Sequence, residues 1–431
     1  MNDEKHYIEN IIEDFIRKKI KYQELFHDKQ LLFDKLDKIF DNLDIINSYY
    51  YFYLSSYIFT FIKKINFVYD IVPENVCNIF KNIIHELFID IFKLKHIDSY
   101  VKELLENVCN NCLYFCNFIN DYKEINEEIK QIFVREFCIS SFSSILMIPI
   151  VRIRNYKLWC YIQSIWIIYD NIRDTKDLNN KIKMINNTSL FFKEKIYDKS
   201  YEEIYEYLLK NEDICLKLIK NIFDLDNLSK EDKINICKKF SKLYNFSYSD
   251  KGFKNEKESL GKNTLNISIL KSKLSLDIFA YSFDFINTNV EQIYMFCFII
   301  QLTDDFIDLQ EDINNNNNTI FLEDNKKNKC INIIILIEYI NTYFPELNNF
   351  ALLLYIISID YNNKLLEDDF VNYTKQKLNI DYNNFNLIEI FNIFMNTDLI
   401  QKILQMYLSN ITNYNFNKLT KNEILNEIKS I

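Results

Sequence analysis

Apolar residues recur along this chain with the three-to-four-residue period of an amphipathic helix, and almost nowhere with the period of two that a half-buried strand requires. Ile8, Ile11, Ile12, Phe15 and Ile16 mark one stripe, and Leu31, Leu32, Leu36, Ile39 and Phe40 mark a second. Residues 137–151, closed by Glu136 and Arg152, read as a core helix, and residues 201–223 as one amphipathic helix. Further helices are expected over 331–343, 350–359, 386–395 and 399–408, separated by turns rich in Asn and Asp. Ser229 stands where it can cap the helix that opens at Lys230, with Asp232 at the favoured third position. No repeat and no strand series is visible. The pattern predicts an all-α fold, with an N-terminal helical extension over 1–71 and a helical bundle over 72–431. Pro73 opens the first helix after the boundary.

Composition sharpens this reading. With 2 Gly and 3 Pro in 431 residues the chain has little turn or linker material, which favours long helices. A hydrophobic content of 48 % is ample for a large core. The net charge of −10 argues against a nucleic-acid partner, because phosphate-backbone binding needs clustered Lys and Arg. Residues 45–62 carry no charge, but Asn47, Ser48, Ser55, Ser56 and several Tyr make them a better buried helix than a membrane span. The acidic start lacks the apolar centre of a signal peptide, so a cytoplasmic protein is expected, with weak membrane association left open. Cys109, Cys112 and Cys116 follow a helical stripe with no Gly or Pro turn beside them, so they read as core thiols in preference to zinc ligands.

Two acidic runs change the picture from fold to chemistry. In 301–312, Asp304, Asp308 and Asp312 recur every four residues on one helical face, with Asp305 and Glu311 beside them. Asp170, Asp174 and Asp177 share a face in the same way far upstream. Each run alone also fits a solvated acidic face. Both, however, follow an apolar aromatic stretch that would draw them partly out of water, where like charges need a cation. Oxygen-only ligands on rigid helices suit Mg²⁺, with Mn²⁺ as an alternative, held by a few carboxylates together with substrate phosphates. Arg152 and Arg154 precede Asp170 by one helix length and have the bidentate geometry that phosphate favours. The only glycines, Gly252 and Gly261, share a loop with Lys254, Lys257 and Lys262, and Lys271 and Lys273 follow. That loop reads either as a basic lid over a diphosphate or as a solvated surface loop.

At these motifs the chain resembles the class I isoprenoid synthases, an all-α superfamily that ionises prenyl diphosphates through Mg²⁺ held between two Asp-rich helices. The local pattern is most similar to bacterial large-terpene synthases of the tetraprenyl-β-curcumene synthase type. Asp170, Asn171, Ile172 and Asp174 match the first motif, and Asp304, Ile307, Asp308, Glu311 and Asp312 the second, with Asp305 and Gln310 as departures. Gln301, Leu302 and Thr303, with Asp308, Glu311 and Asp312, also resemble squalene and phytoene synthases, although Ile307 stands where those enzymes carry an Arg. Linear prenyl-chain elongases share Asp304, Asp305 and Asp308 alone, and their Gly-Gly-Lys motif is missing here.

The resemblance implies a terpene synthase acting on a prenyl diphosphate, releasing pyrophosphate and a hydrocarbon or alcohol. Asp170, Asp174, Asp304, Asp305, Asp308 and Asp312 would hold the metal. Arg152, Arg154, Arg173, Lys262 and Lys273 would grip the diphosphate, and Trp159, Trp166, Tyr169, Phe298 and Phe306 would line the cavity for the carbocation. Alternatives are a prenyltransferase on the same substrates and a helical binding protein without catalysis. Substrate chain length, product skeleton and oligomeric state are not encoded in these motifs.

Overall fold

The computed structural model describes residues 2–26, parts of 30–37, 99–123, 125–147, 150–174, 187–196, 198–250, 260–286, 288–307, 309, 313, 325–347 and 362–377. The run 45–62, Pro73, the boundary at 71/72, Asp177 and the expected helices over 350–359, 386–395 and 399–408 lie outside these residues. The described fold is all-α, with one short two-stranded ribbon. No described helix is long and apolar enough to cross a membrane.

The helices are α1 (Asn2–Leu25), α2 (Ser99–Asp121), α3 (Glu127–Ser143), α4 (Tyr156–Asp174), α5 (Tyr201–Leu209) and α6 (Ile214–Phe223). They continue with α7 (Lys230–Asp250), α8 (Leu260–Phe279), α9 (Val290–Ile307), α10 (Lys326–Tyr343) and α11 (Asp368–Lys377). Their buried faces form two apolar cores. In the first, α2, α3, α4, α5, α6 and α7 pack around residues such as Phe115, Ile162, Ile168 and Ile219. The second gathers α1, α8, α9, α10 and α11 around Phe15, Ile269, Phe298, Ile334 and Phe370. Val151, Leu276 and Phe285 pack against both, so the ribbon and α8 form the seam. The middle of α10 is buried on every side, from Lys329 to Ile337, as expected of a central helix.

The first helix is built into the second core. Tyr22 and Lys18 donate to Glu338 on α10 at 2.6 and 2.7 Å, and Tyr339 donates to Asp14 at 2.9 Å. The described cysteines, among them Cys109, Cys112 and Cys116, are buried and unpaired, as the stripe predicts. Burial pushes the thiols of Cys109, Cys160, Cys215, Cys237, Cys297 and Cys330 upward, that of Cys330 to about 12, which keeps them protonated.

Two expected helices require correction. The helix read over 137–151 stops at Ser143, passes through a 3₁₀ turn (Ser144–Met147) and becomes strand β1 (Val151–Ile153). Pro149 bars one helix through to 151, since proline lacks the amide N–H that a helix interior needs. The helix read over 201–223 is two, α5 and α6, broken at 210–213. Ser200 caps α5 in a capping box with Glu203. Asp213 caps α6 by accepting from the Cys215 amide at 3.0 Å, and also accepts from the amide and hydroxyl of buried Thr188. The expected cap at Ser229 is present, its hydroxyl accepting from the Asp232 amide at 3.0 Å.

Burial holds the Asp213 carboxyl above the usual carboxylate range, opposed by the hydrogen bonds from Thr188 and the α6 backbone. A raised native pKa favours the fold at low pH, and that gain is lost as pH rises through it. Asp213→Ala should therefore cost about 1–3 kcal/mol in urea unfolding at pH 7, and more as the pH is lowered toward 4. An unchanged midpoint at both pH values would mean that the break between α5 and α6 does not depend on this cap.

Candidate active site

The ribbon decides where the acidic helices go. Strand β1 pairs antiparallel with β2 (Phe283–Phe285), Val151 opposite Phe285 and Ile153 opposite Phe283. Helix α4 begins just after β1 and α9 just after β2, so the two helices start at the same place although they are far apart in sequence. The junction is tied by the amides of Arg154 and Asn155, which donate to the Ser282 carbonyl at 2.8 and 3.0 Å, and by the Ile286 amide on the Ile150 carbonyl.

From there both helices run toward the N-terminal half of α8. Helices α8 and α9 form an antiparallel hairpin pinned by Ser272, whose hydroxyl donates to Gln301 at 2.9 Å. Helix α7 lies along α8, with Lys239 donating to the Asp277 carbonyl. Further along α7, Tyr244 meets Tyr169 of α4, their ring centroids 5.3 Å apart. Asp170, next to Tyr169, and Asp304, near the end of α9, thus lie toward the end of the bundle where α8 begins. Helices α4 and α9 share no extended packing with each other, and α8 stands between them.

The side chains of this end differ in availability. Asp304 is exposed and Asp170 half-buried, so both are within reach of a ligand. Asp305 is 8 % exposed and faces inward, where its Oδ1 accepts from Gln301 Nε2 at 2.7 Å. Ser272, Gln301 and Asp305 form a buried polar relay from α8 to the acidic turn, which makes Asp305 a brace of the helix. Asn171 donates to the Ile167 carbonyl of its own helix at 2.9 Å. Asp308, Glu311, Asp312 and the side chains of Asp174, Arg173 and Lys262 lie outside the described residues, as do residues 251–259 between α7 and α8.

Three expected diphosphate contacts are placed elsewhere. Arg152 is exposed on β1 with its guanidinium 5.7 Å from the Tyr100 ring centroid. Arg154 forms an ion pair with Asp284 at 3.0 Å and donates to the Ala280 and Phe283 carbonyls. Both sit at the ribbon, separated from Asp170 by roughly 20 Å of α4. They do stand one helix length before Asp170, but at the far end of that helix, where strand β1 sets their direction. Lys273 bonds Asp277 at 2.6 Å and lies 5.2 Å from the Tyr294 ring centroid, so its ammonium is directed back along α9, away from Asp304. The aromatics divide likewise: Trp159, Trp166 and Tyr169 belong to the first core, Phe298 and Phe306 to the second. Phe298 packs edge-on against Phe15 and Tyr339, away from α4.

Among the described residues no three Asp, Glu, His or Cys side chains stand close enough to hold a metal ion between them. Asp304, exposed, and Asp170, half-buried, are hard oxygen donors of the kind that Mg²⁺ takes together with phosphate oxygens. No protein-family model matches the chain, and neither curated proteins nor solved structures give a match. The site is accordingly read from its own residues.

Asp305→Ala should cost about 1–3 kcal/mol, because it leaves the buried Gln301 amide without this acceptor. Asp304→Ala, at an exposed position, should change stability by no more than about 0.5 kcal/mol. Chemical denaturation of the two variants checks this, and equal losses would contradict the bracing role of Asp305.

Proposed function

We propose that the chain is a class I terpene synthase that ionises a prenyl diphosphate with Mg²⁺ and releases pyrophosphate. One observation carries the reading: two acid-bearing helices, far apart in sequence, leave a single ribbon and extend toward the same end of the bundle. In this reading Asp170 and Asp304, with Asp174, Asp308 and Asp312 from the same motifs, bind the diphosphate through divalent ions. Those ions supply charge neutralisation for the departing diphosphate when bound. Asp305 keeps the acidic turn of α9 in place through Gln301. Cationic help comes from the lysines between α7 and α8, which precede that end in sequence, and not from Arg152, Arg154 or Lys273. The aromatic content near both motifs, Trp166 and Tyr169 on one side and Phe306 on the other, supplies ring faces for a cationic intermediate.

Purified protein given prenyl diphosphates of several chain lengths should release pyrophosphate only with Mg²⁺, alongside a product with the substrate's own carbon number. A longer product would identify a prenyltransferase instead. Asp170→Ala and Asp308→Ala should each abolish release while leaving the far-UV circular dichroism unchanged. Arg154→Ala should keep the release and lower the melting temperature. Wild-type turnover in the Asp variants would remove those residues from the site.

A further inference from the structure

Asn362 stands 1 % exposed just before the short 3₁₀ turn Asn363–Leu365 that leads to α11. Its side-chain amide nitrogen donates to the backbone carbonyl of Phe306 at 2.8 Å. A carbonyl only accepts, so this bond fixes which way the amide faces. The other end, Oδ1, is buried and finds no hydrogen-bond partner. An orphaned buried acceptor costs on the order of 1–3 kcal/mol, so an apolar residue would serve packing alone better. What this residue uniquely supplies is a donor to the Phe306 carbonyl.

Phe306 falls between Asp304 and Asp308 in sequence, and its ring is sunk in the second core. Its carbonyl is therefore a handle on the turn that carries the acidic face. That turn is braced from one side by Ser272, Gln301 and Asp305, and Asn362 grips it from another element. Leu366 and Phe370, buried in the second core, anchor the segment that holds Asn362. We infer that Asn362 is a positioning residue, which sets the direction of the α9 carboxylates toward the metal–diphosphate end; the inference rests on the function proposed above. Residues that orient ligands from behind in this way change metal affinity by about 10- to 100-fold when removed.

The test follows thermal stabilisation of the full chain by Mg²⁺ at fixed inorganic pyrophosphate, which requires no turnover. Asn362→Ala and Asn362→Leu, which is close in size and cannot donate, should need about tenfold more Mg²⁺ for half of the wild-type shift. Asn362→Ser keeps a donor and should fall between. Val371→Ala, which opens a gap in the α11 packing and leaves the Asn362 bond to the Phe306 carbonyl in place, should lower the melting temperature and leave the Mg²⁺ midpoint unchanged. If the wild type is stabilised and the Asn362 variants only melt earlier, as Val371→Ala does, Asn362 is structural and the inference fails while the proposed function stands. Absence of any Mg²⁺–pyrophosphate stabilisation in the wild type would overturn both.

Discussion

The pairing of three residues of β1 with three of β2 is the constraint on which the rest of the arrangement depends. It joins positions more than a hundred residues apart, fixes the starts of α4 and α9 side by side, and closes the seam between the two cores. A ribbon of this length is marginal in isolation. Here it is covered by Val151 and Phe285, which touch both cores, and locked by Arg154 reaching Asp284 and two carbonyls of the facing turn. Arg154 thus has a role as specific as diphosphate binding, at the opposite end of α4.

From that common start the helices act as rigid spacers. Their length carries Asp170 and Asp304 away from the ribbon toward the beginning of α8, and α8 keeps them from packing on each other. Holding like charges toward one end of a bundle is unfavourable unless a cation arrives. Within the acidic turn the two neighbours differ: Asp305 is buried and accepts from Gln301, whereas Asp304 lies at the surface. Of the carboxylates expected to hold metal, Asp305 is thus the one the structure ties into the core.

Local patterns were legible in the chain and non-local pairings were not. The apolar stripe of α1 from Ile8 to Phe15, the cap at Ser229 and the core placement of Cys109, Cys112 and Cys116 all follow from spacing along a single helix, although Ile16, read into the same stripe, is exposed. The end of α3 was also written in the sequence, in Pro149, but the apolar run around it hid the break. Arg152 and Arg154 stand one helix length from Asp170, as the sequence has it, but their place at the ribbon depends on the pairing of β1 with β2, and three residues are too few for a strand's period to show. The split between α5 and α6 turns on Asp213, whose burial depends on Thr188 from another segment. Asn362 could not have been singled out, since one asparagine in a chain rich in them acquires meaning only when the fold sets it under Phe306. The acidic motifs were visible as patterns, whereas their convergence needed the ribbon.

The central claim is that Asp170 and Asp304 serve one shared metal–diphosphate site. A double-mutant cycle tests it most directly: calorimetric titration of pyrophosphate in Mg²⁺ into wild type, Asp170→Asn, Asp304→Asn and the double variant. A shared site predicts strong non-additivity, with a coupling energy of about 1 kcal/mol or more and a double variant little worse than the weaker single one. Losses that add to within about 0.5 kcal/mol would mean that the two carboxylates act independently, and would contradict the account.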